Sequence, residues 1–193
     1  MDEVLITRKT FDRQDFTQRA LPAGEYEDCI FNHCDLSNTD LSGIHFSECT
    51  FTGCNLSMAT LKRTVFREVK FEDCKMLGLR FDNCDQFIFS ISTERCILNY
   101  SVFYQTKLKK TIFRNNSMVE TDFSQSDLTN ATFDNCELAG ATFDNTILEK
   151  ADFRTSFNYS IDPDKNKIKK ARFSRSGIVG LLDKYDIEID PHQ

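Results

Sequence analysis

The sequence predicts an all-β solenoid in which the chain winds into stacked, four-sided coils. Three observations predict it: every fifth residue is large and apolar, like residues recur every twenty residues, and glycine and proline are scarce. The 193 residues include only 7 Gly and 3 Pro, whereas a sandwich of short strands usually needs more of both in its tight turns. The chain therefore makes its turns by other means.

Large apolar residues occupy every fifth position in two long series. The first series runs from Phe11 to Phe81 and the second from Leu98 to Phe153. The residue two places before each large one is mostly small, and the other three are mostly polar. Neither the 3.6-residue period of a helix nor the two-residue period of a strand keeps every fifth residue on one side. Five residues therefore form one edge of a coil, with one large and one small side chain pointing inward.

A second period, of twenty residues, predicts four edges per coil. Phe11, Phe31, Phe51 and Phe71 recur at this spacing, as do Phe113, Phe133 and Phe153. Coils stacked at strand spacing, roughly 4.8 Å, would place like residues above like in aromatic and leucine ladders. Because one coil cannot bury its apolar side alone, stability would come from contacts between neighbouring coils.

The prediction divides the chain into a solenoid over residues 1–175 and a C-terminal tail over 176–193. Phe81 and Leu98 are out of step with the five-residue frame, which shifts by two residues within 84–97. This segment is either a bulge that tucks its apolar residues into the core or a projecting loop that touches a partner. Residues 155–167 contain Asp162-Pro163 and a charged run, which indicates a surface loop. The frame resumes at Ile168.

The tail carries apolar residues that could cap the rod or pair two rods. They are Ile178, Val179, Leu181, Leu182 and Tyr185. Their spacing predicts a short amphipathic helix, capped by Ser174 or Ser176, and residues 186–190 alternate as a strand would. An open solenoid end needs a cover, and the same residues could form a symmetric dimer, so both roles remain open. Residues 4–6 could form a capping strand at the other end.

No pattern of residue types predicts catalysis, a cofactor or a metal. The cysteines fall at the small inward position and form no CxxC pair, which favours packed, reduced thiols over a metal site. Of the three histidines, His33 and His45 fall at outward positions and His192 lies in the tail. None of them is placed to activate a nucleophile. We therefore expect no enzyme, no cofactor and no metal ion.

Acidic residues concentrate in two stretches without Lys or Arg, residues 20–61 and 115–149, separated by a basic-leaning belt. The candidate partner-binding carboxylates are Glu25, Glu27, Asp28, Asp35, Asp40, Glu120, Asp122, Asp127, Asp134, Glu137 and Asp144. They are either a solvated surface or an acidic rod offered to a basic groove on a partner. The net charge of −6 argues against direct nucleic-acid binding. No segment is long and apolar enough for a membrane span, and the absence of a leader pattern at the N-terminus predicts a cytoplasmic protein.

The runs CDLSNTDLSGIHF, TDFSQSDLTNATF and CELAGATFDNTILEKADF resemble the A(D/N)LXX motif of pentapeptide-repeat proteins, over about residues 10–155. The resemblance implies a right-handed quadrilateral β-helix. The tail is similar to that of the quinolone-resistance (Qnr) proteins, in which a C-terminal helix pairs two rods. Qnr-type relatives are acidic, dimeric bacterial rods that mimic DNA and bind type II topoisomerases. The resemblance thus implies a homodimer that could bind DNA gyrase and protect it from quinolones.

Two classes of function follow from these features. The first is a non-enzymatic scaffold that binds a protein partner of unknown identity through an edge face or the tail. The alternative is a DNA mimic directed at gyrase. The Qnr proteins act on gyrase through projecting loops, whereas this chain offers a two-residue shift and a basic belt within its acidic surface. These two departures favour the scaffold.

Overall fold

A computed structural model describes residues 4–189, in which short parallel strands form two sheets. The strands are β1 (Val4–Thr7), β2 (Thr10–Asp12), β3 (Gly24–Glu27), β4 (Ile30–Asn32), β5 (His45–Ser47), β6 (Thr50–Thr52), β7 (Val65–Arg67), β8 (Val69–Glu72), β9 (Ile91–Glu94), β10 (Ile112–Arg114) and β11 (Thr132–Asp134). One sheet has the order β1-β3-β5-β7, and the other has the order β11-β10-β9-β8-β6-β4-β2. The all-β solenoid predicted from the sequence is confirmed.

The coils stack in register, and each sheet forms one of their four faces. We number the faces by their large residues: face 1 holds Phe31, Phe51 and Phe133, face 2 holds Leu36, Leu56 and Leu138, face 3 holds Leu41, Leu61 and Phe143, and face 4 holds Phe46, Phe66 and Leu148. In face 1, Phe31 pairs with Phe51, twenty residues on. Faces 2 and 3 are joined by single parallel bridges such as Asn55 to Lys75 and Asp40 to Thr60. Successive coils therefore pair on all four sides.

The large positions fill the centre of the rod. Phe11 is half-buried at the N-terminal end, and every later member of the two series is buried. Phe31 and Phe51 stack with ring centroids 4.4 Å apart and planes 5° apart. Phe46, on the adjacent face, meets Phe51 edge-on at 5.4 Å and 74°. Stacked contacts along the axis and edge contacts across it are the two geometries that aromatic pairs prefer.

The corners are turned by residues in the left-handed region, few of which are glycine. Met58 has φ 59° and Asn130 has φ 58°, a conformation that costs a side-chain-bearing residue roughly 1–2 kcal/mol. The backbone N–H of each donates to a carbonyl of the next coil, Met58 to Leu77 at 2.9 Å and Asn130 to Glu149 at 2.9 Å. These bonds between coils help to offset the strain, which explains how the chain turns so often with so few glycines.

The small inward positions do more than fit the corner. After face 1, the carbonyls of the large positions from Phe11 to Phe133 have no turn hydrogen bond, and a side chain one coil later donates to each of them. Cys54 Sγ donates to Phe31 O at 3.2 Å, Asn116 Nδ2 donates to Thr93 O at 3.2 Å, and Ser156 Oγ donates to Phe133 O at 2.6 Å. We call this column of Cys, Asn and Ser side chains the donor ladder.

The shift of frame falls on face 4 between coils built on Phe66 and Leu108. Asp85 N donates to Thr64 O at 2.9 Å and Ser90 N donates to Phe66 O at 2.9 Å, so the extra residues lie between Asp85 and Ser90. Phe89 tucks into the core beside Phe66, with the centroids 6.4 Å apart. Phe87 instead projects, with 93% of its surface exposed. The segment is therefore both a core bulge and a projection.

The segment 155–167 adds no residues, because Leu148 and Ile168 keep the spacing of twenty. Beyond it, the tail forms two 3₁₀ helices, Gly177–Leu181 and Asp183–Tyr185. Ser174 Oγ, and not Ser176, accepts from the backbone of Gly177 at 2.9 Å. A third 3₁₀ helix, Phe81–Asn83, lies on face 3. No helix within residues 4–189 has the length and hydropathy of a membrane span.

One local prediction is wrong. Residues 186–189 form no strand, because Asp186 has φ 48° and turns the chain without a neighbouring strand to pair with. Asp190, the last residue of that predicted strand, lies outside the described residues.

Candidate interaction surfaces

The candidate carboxylates lie on all four faces of the rod and do not form one acidic surface. Glu25, Glu27, Asp28 and Asp127 lie on face 4, Asp35, Glu120 and Glu137 on face 2, Asp40, Asp122 and Asp144 on face 3, and Asp134 on face 1. Consecutive stretches of sequence wrap around the whole rod, so an acidic stretch becomes an acidic ring of coils and not an acidic stripe.

Four of these carboxylates lie on faces 2 and 3 of two successive coils: Glu120, Asp122, Glu137 and Asp144. The backbone bridges from Ser117 to Glu137 and from Asp122 to Thr142 set these coils side by side. Among residues 4–189, none of the four carboxylates has a Lys or Arg partner within salt-bridge distance. This acidic cluster is one part of the predicted surface that has no Lys or Arg partner within residues 4–189.

Other carboxylates are held by neighbouring groups. Lys109 Nζ lies 3.1 Å from Asp127, and Arg114 Nε donates to Asp134 at 3.2 Å. The hydrogen bonds from Ser42 hold the pKa of Asp40 below its usual value, so that this side chain stays charged. Exposed pairs of this kind contribute little to stability, but they reduce the negative potential of the face that carries them.

Face 4 carries charges that the sequence reasoning missed. Its C-terminal half presents seven lysines: Lys107, Lys109, Lys110, Lys150, Lys167, Lys169 and Lys170. Lys107, Lys109 and Lys110 belong to the basic-leaning belt predicted from the sequence. The other four lysines escaped notice because an acidic stretch, residues 115–149, separates them from that belt along the chain. Counting in steps of twenty would have found the column of Lys110, Lys150 and Lys170 at one corner.

The C-terminal end of the rod holds an open cleft under the tail. Among its lining residues are Tyr159, Ser174, Gly177 and Asp183. The Tyr159 ring packs on Phe153, with centroids 5.6 Å apart, and its side chain is 4% exposed. Its hydroxyl has no hydrogen-bond partner among the described residues.

Of the predicted tail residues, Leu181 packs against the core and Leu182 is half-buried. Ile178, Val179 and Tyr185 are exposed. The tail thus covers the core with part of its apolar surface and presents the rest to solvent.

The cysteines and histidines form no chemical site within residues 4–189. All eight thiols are buried and free of disulfides, and burial raises the pKa of Cys136 to about 12, which keeps it neutral and unreactive. No three His, Cys, Asp or Glu side chains in this part of the chain are placed to hold a metal ion. His45 lies on face 4 with Nδ1 3.4 Å from Glu25, and His33 is exposed.

Comparisons with known proteins agree with this architecture. Two family models match, "Pentapeptide repeat region" over residues 25–87 and "Pentapeptide repeats (8 copies)" over residues 117–155, which together span more than half of the chain. No curated protein sequence matches. The crystal structure of HetL, a pentapeptide repeat protein involved in heterocyst differentiation regulation from the cyanobacterium Nostoc sp. strain PCC 7120, is similar with a TM-score of 0.66. It is 16% identical, with 89% of this chain and 85% of HetL covered.

Full-length QnrB1, a plasmid-mediated fluoroquinolone resistance protein, is 18% identical, with a TM-score of 0.48 and coverage of 96% of this chain and 98% of QnrB1. At these identities the HetL match shows the fold alone, and the QnrB1 score is too low to support any argument. The periodicity, the stacked coils and the two family models agree: this chain belongs to the pentapeptide-repeat family.

Proposed function

We propose that this chain is a non-enzymatic protein-binding module whose partner docks on the C-terminal end of the rod. The observation that carries the proposal is the buried Tyr159 hydroxyl, which has no hydrogen-bond partner among residues 4–189 and belongs to a residue that lines an open cleft. A buried polar group without a hydrogen bond costs about 1–3 kcal/mol and is rare in native proteins. Because the tail covers this hydroxyl, a partner that shifts the tail on docking would bring a carbonyl oxygen to it.

Close packing of the tail holds the cleft in place. A Cβ atom on Gly177 would overlap the Tyr159 hydroxyl, and one on Gly180 would overlap the Tyr159 carbonyl oxygen. Ile161 N donates to Gly180 O at 2.9 Å, and Lys184 Nζ donates to Asp162 at 2.7 Å. The two glycines thus let the tail pack closely against the last coil, and the ion pair between Lys184 and Asp162 holds the C-terminal part of the tail in place.

An apolar rim borders the cleft, and Phe157 and Val179 belong to the cleft lining. Phe157, Ile178, Val179, Tyr185 and Ile187 are all exposed at this end of the rod. Aromatic and apolar side chains clustered around a tyrosine are typical of protein-binding hot spots. The partner we expect offers apolar side chains around one backbone carbonyl.

Affinity enrichment with matched variants tests the proposal. Val179→Asp places a charge in the apolar rim and should abolish retention of the partner, whereas Met58→Asp, at an exposed apolar residue of face 2, should retain it. With the purified partner, Tyr159→Phe should weaken binding roughly tenfold through the lost hydrogen bond. A partner held equally by the wild type and by Val179→Asp would contradict docking at this end.

The tail-mediated homodimer expected from the sequence is a second possible use of the same rim. Sedimentation of Val179→Asp decides between them. If the wild type is a dimer and Val179→Asp is a monomer, the rim binds a second copy of this chain. If the two have the same mass, the rim is available to bind a different protein.

The gyrase-directed DNA mimic is the second candidate, and the uncompensated acidic cluster of Glu120, Asp122, Glu137 and Asp144 favours it. We expect purified chain to reduce gyrase supercoiling or to restore it in the presence of a quinolone. Neutralising Glu120 and Asp122 to Gln and Asn should remove the effect, while Asp12→Asn, on face 1, should not. Wild-type protein without effect on gyrase, and without change in quinolone susceptibility of expressing cells, would eliminate this candidate.

A further inference from the structure

Face 4 is divided into an acidic half and a basic half. Between β1 and the bulge its outward positions hold five carboxylates (Glu25, Glu27, Asp28, Glu48, Glu68) and two arginines (Arg8, Arg67), a net formal charge of −3. Beyond the bulge they hold seven lysines and two carboxylates (Asp127, Glu149), a net charge of +5. Half of one face thus carries a local net charge of +5 in a chain whose overall net charge is −6.

Most of these lysines have no internal partner. Lys109 lies 3.1 Å from Asp127. The other six lysines make no salt bridge with any of residues 4–189. In the acidic half, Arg67 lies at the limit of salt-bridge distance, 3.9 Å from Glu27 and 4.0 Å from Glu48. Both halves thus keep charge that a partner surface could neutralise.

The geometry of the face defines which groups a second copy would meet. Each coil presents three outward residues in the same order, so that Glu25 and Lys167, Glu27 and Lys169, and Asp28 and Lys170 occupy equivalent positions on different coils. Two copies packed face to face with antiparallel rods are related by a two-fold axis that runs along the strand direction. This axis reverses the order of the coils and preserves the position along the strand, so each outward position faces the same position on a coil of the partner.

One register makes this self-pairing complementary. When the coil of Glu25, Glu27 and Asp28 lies opposite the partner's coil of Lys167, Lys169 and Lys170, all three positions pair opposite charges. The next coils then set Glu48 opposite Lys150. In this register no carboxylate faces a carboxylate and no lysine faces a lysine.

The bulge lies beside the centre of the same arrangement. In this register the two-fold axis passes between the bulge and the coil of Lys107, Lys109 and Lys110. Phe87, exposed over 93% of its surface, therefore faces the partner's lysines, where its ring can make cation–π contacts. The paired coils extend over about 40 Å at strand spacing, which is enough length for an interface of standard size.

We propose that face 4 binds a second copy of this chain in an antiparallel, two-fold symmetric dimer, held by the acidic half of each copy against the basic half of the other. The proposal is independent of the C-terminal cleft, which lies at the end of the rod. An interface of this kind is isologous and closed, so it stops at two copies.

Sedimentation of charge-reversed variants tests the proposal. At about 50 mM salt we expect the wild type to sediment at twice its 22.3 kDa, and to dissociate at about 500 mM as screening increases. Two variants should each be monomeric: K167E/K169E/K170E, with acidic groups at both ends of face 4, and E25K/E27K/D28K, with lysines at both ends. Like charges facing each other cost several kcal/mol, so the dissociation constant should rise at least 100-fold.

Mixing the two variants supplies the decisive measurement. Each is self-repelling and complementary to the other, so the mixture should form a one-to-one dimer that neither forms alone, which also shows that both are folded. Phe87→Ala should weaken the wild-type dimer by up to about tenfold, and the reversal K62E/R63E/K75E, on faces 2 and 3, should leave it unchanged. A monomeric wild type at low salt, a dimer that survives K167E/K169E/K170E, or variants that stay apart when mixed would each overturn the proposal.

Discussion

Phe123→Ala should be among the most destabilising single substitutions in this chain. The ring is fully buried, stacked between Phe103 and Phe143 with centroids 5.2 Å away on each side, and edge-on to Phe133 at 5.6 Å. Its removal takes about 150 Å² of apolar surface out of the core, about 4 kcal/mol at 25 cal/mol per Å². That value lies in the range of about 3–5 kcal/mol for Phe→Ala in well-packed cores.

The assay is equilibrium unfolding in guanidinium chloride, followed by circular dichroism and by tyrosine fluorescence. Phe87→Ala is the matched control, since it removes the same ring from an exposed position and should change the free energy of unfolding by less than about 0.5 kcal/mol. The control is measured at high salt, where face 4 is free. If Phe123→Ala and Phe87→Ala lie within about 1 kcal/mol of each other, the stacked core does not hold the rod together as described.

Three further predictions concern the tail, the thiols and the donor ladder. Gly180→Ala should release the tail from Tyr159, because the added Cβ overlaps the Tyr159 carbonyl, and trypsin should then cleave at Lys184 faster than in the wild type. Stability should fall as pH rises from 9 to 12, because burial raises the pKa of Cys136 from 9.0 to about 12. The folded state keeps this thiol neutral while the unfolded state ionises it, so its contribution is complete below pH 9 and is lost as pH approaches 12. Cys136→Ser should flatten that slope, and an unchanged slope would refute the assignment. Cys54→Ser should retain the hydrogen bond to the carbonyl of Phe31, whereas Cys54→Ala should cost about 0.5–1.5 kcal/mol for the lost hydrogen bond, and equal unfolding midpoints for these two variants would argue against the donor ladder.

The inward residues could be predicted from the sequence because a five-residue period has one simple solution. Phe31 and Phe133 occupy the large position of the repeat, and their residue type and this position are enough to predict that they are buried. Phe87 and Phe89 differ in this respect. They lie in the segment of the two-residue shift, where the five-residue repeat does not predict which residues point inward. Phe89 enters the core because it packs against Phe66, and Phe87 does not.

The outward residues were harder to predict, for a physical reason. Surface charge acts through space, and in this rod neighbours in space are twenty residues apart. Lys150 and Lys170 are neighbours on face 4. When charge is summed along the sequence, the adjacent Glu149 cancels Lys150, so the column of lysines is not detected. The Tyr159 cleft could not be predicted from the sequence either, because it depends on how closely the tail packs against Tyr159 at Gly177 and Gly180.

The donor ladder makes the two ends of the rod unequal. Each Cys, Asn or Ser of the ladder reaches back toward the N-terminus, so shortening the chain from its start leaves a weak donor facing water. Shortening the chain from its C-terminus removes the donor of a carbonyl, for example Ser156 from the carbonyl of Phe133, and also exposes the core at that end. Coils should therefore be lost or gained more readily at the N-terminal end of such a rod than at its C-terminal end. We expect the length of the rod to vary mainly at its N-terminus.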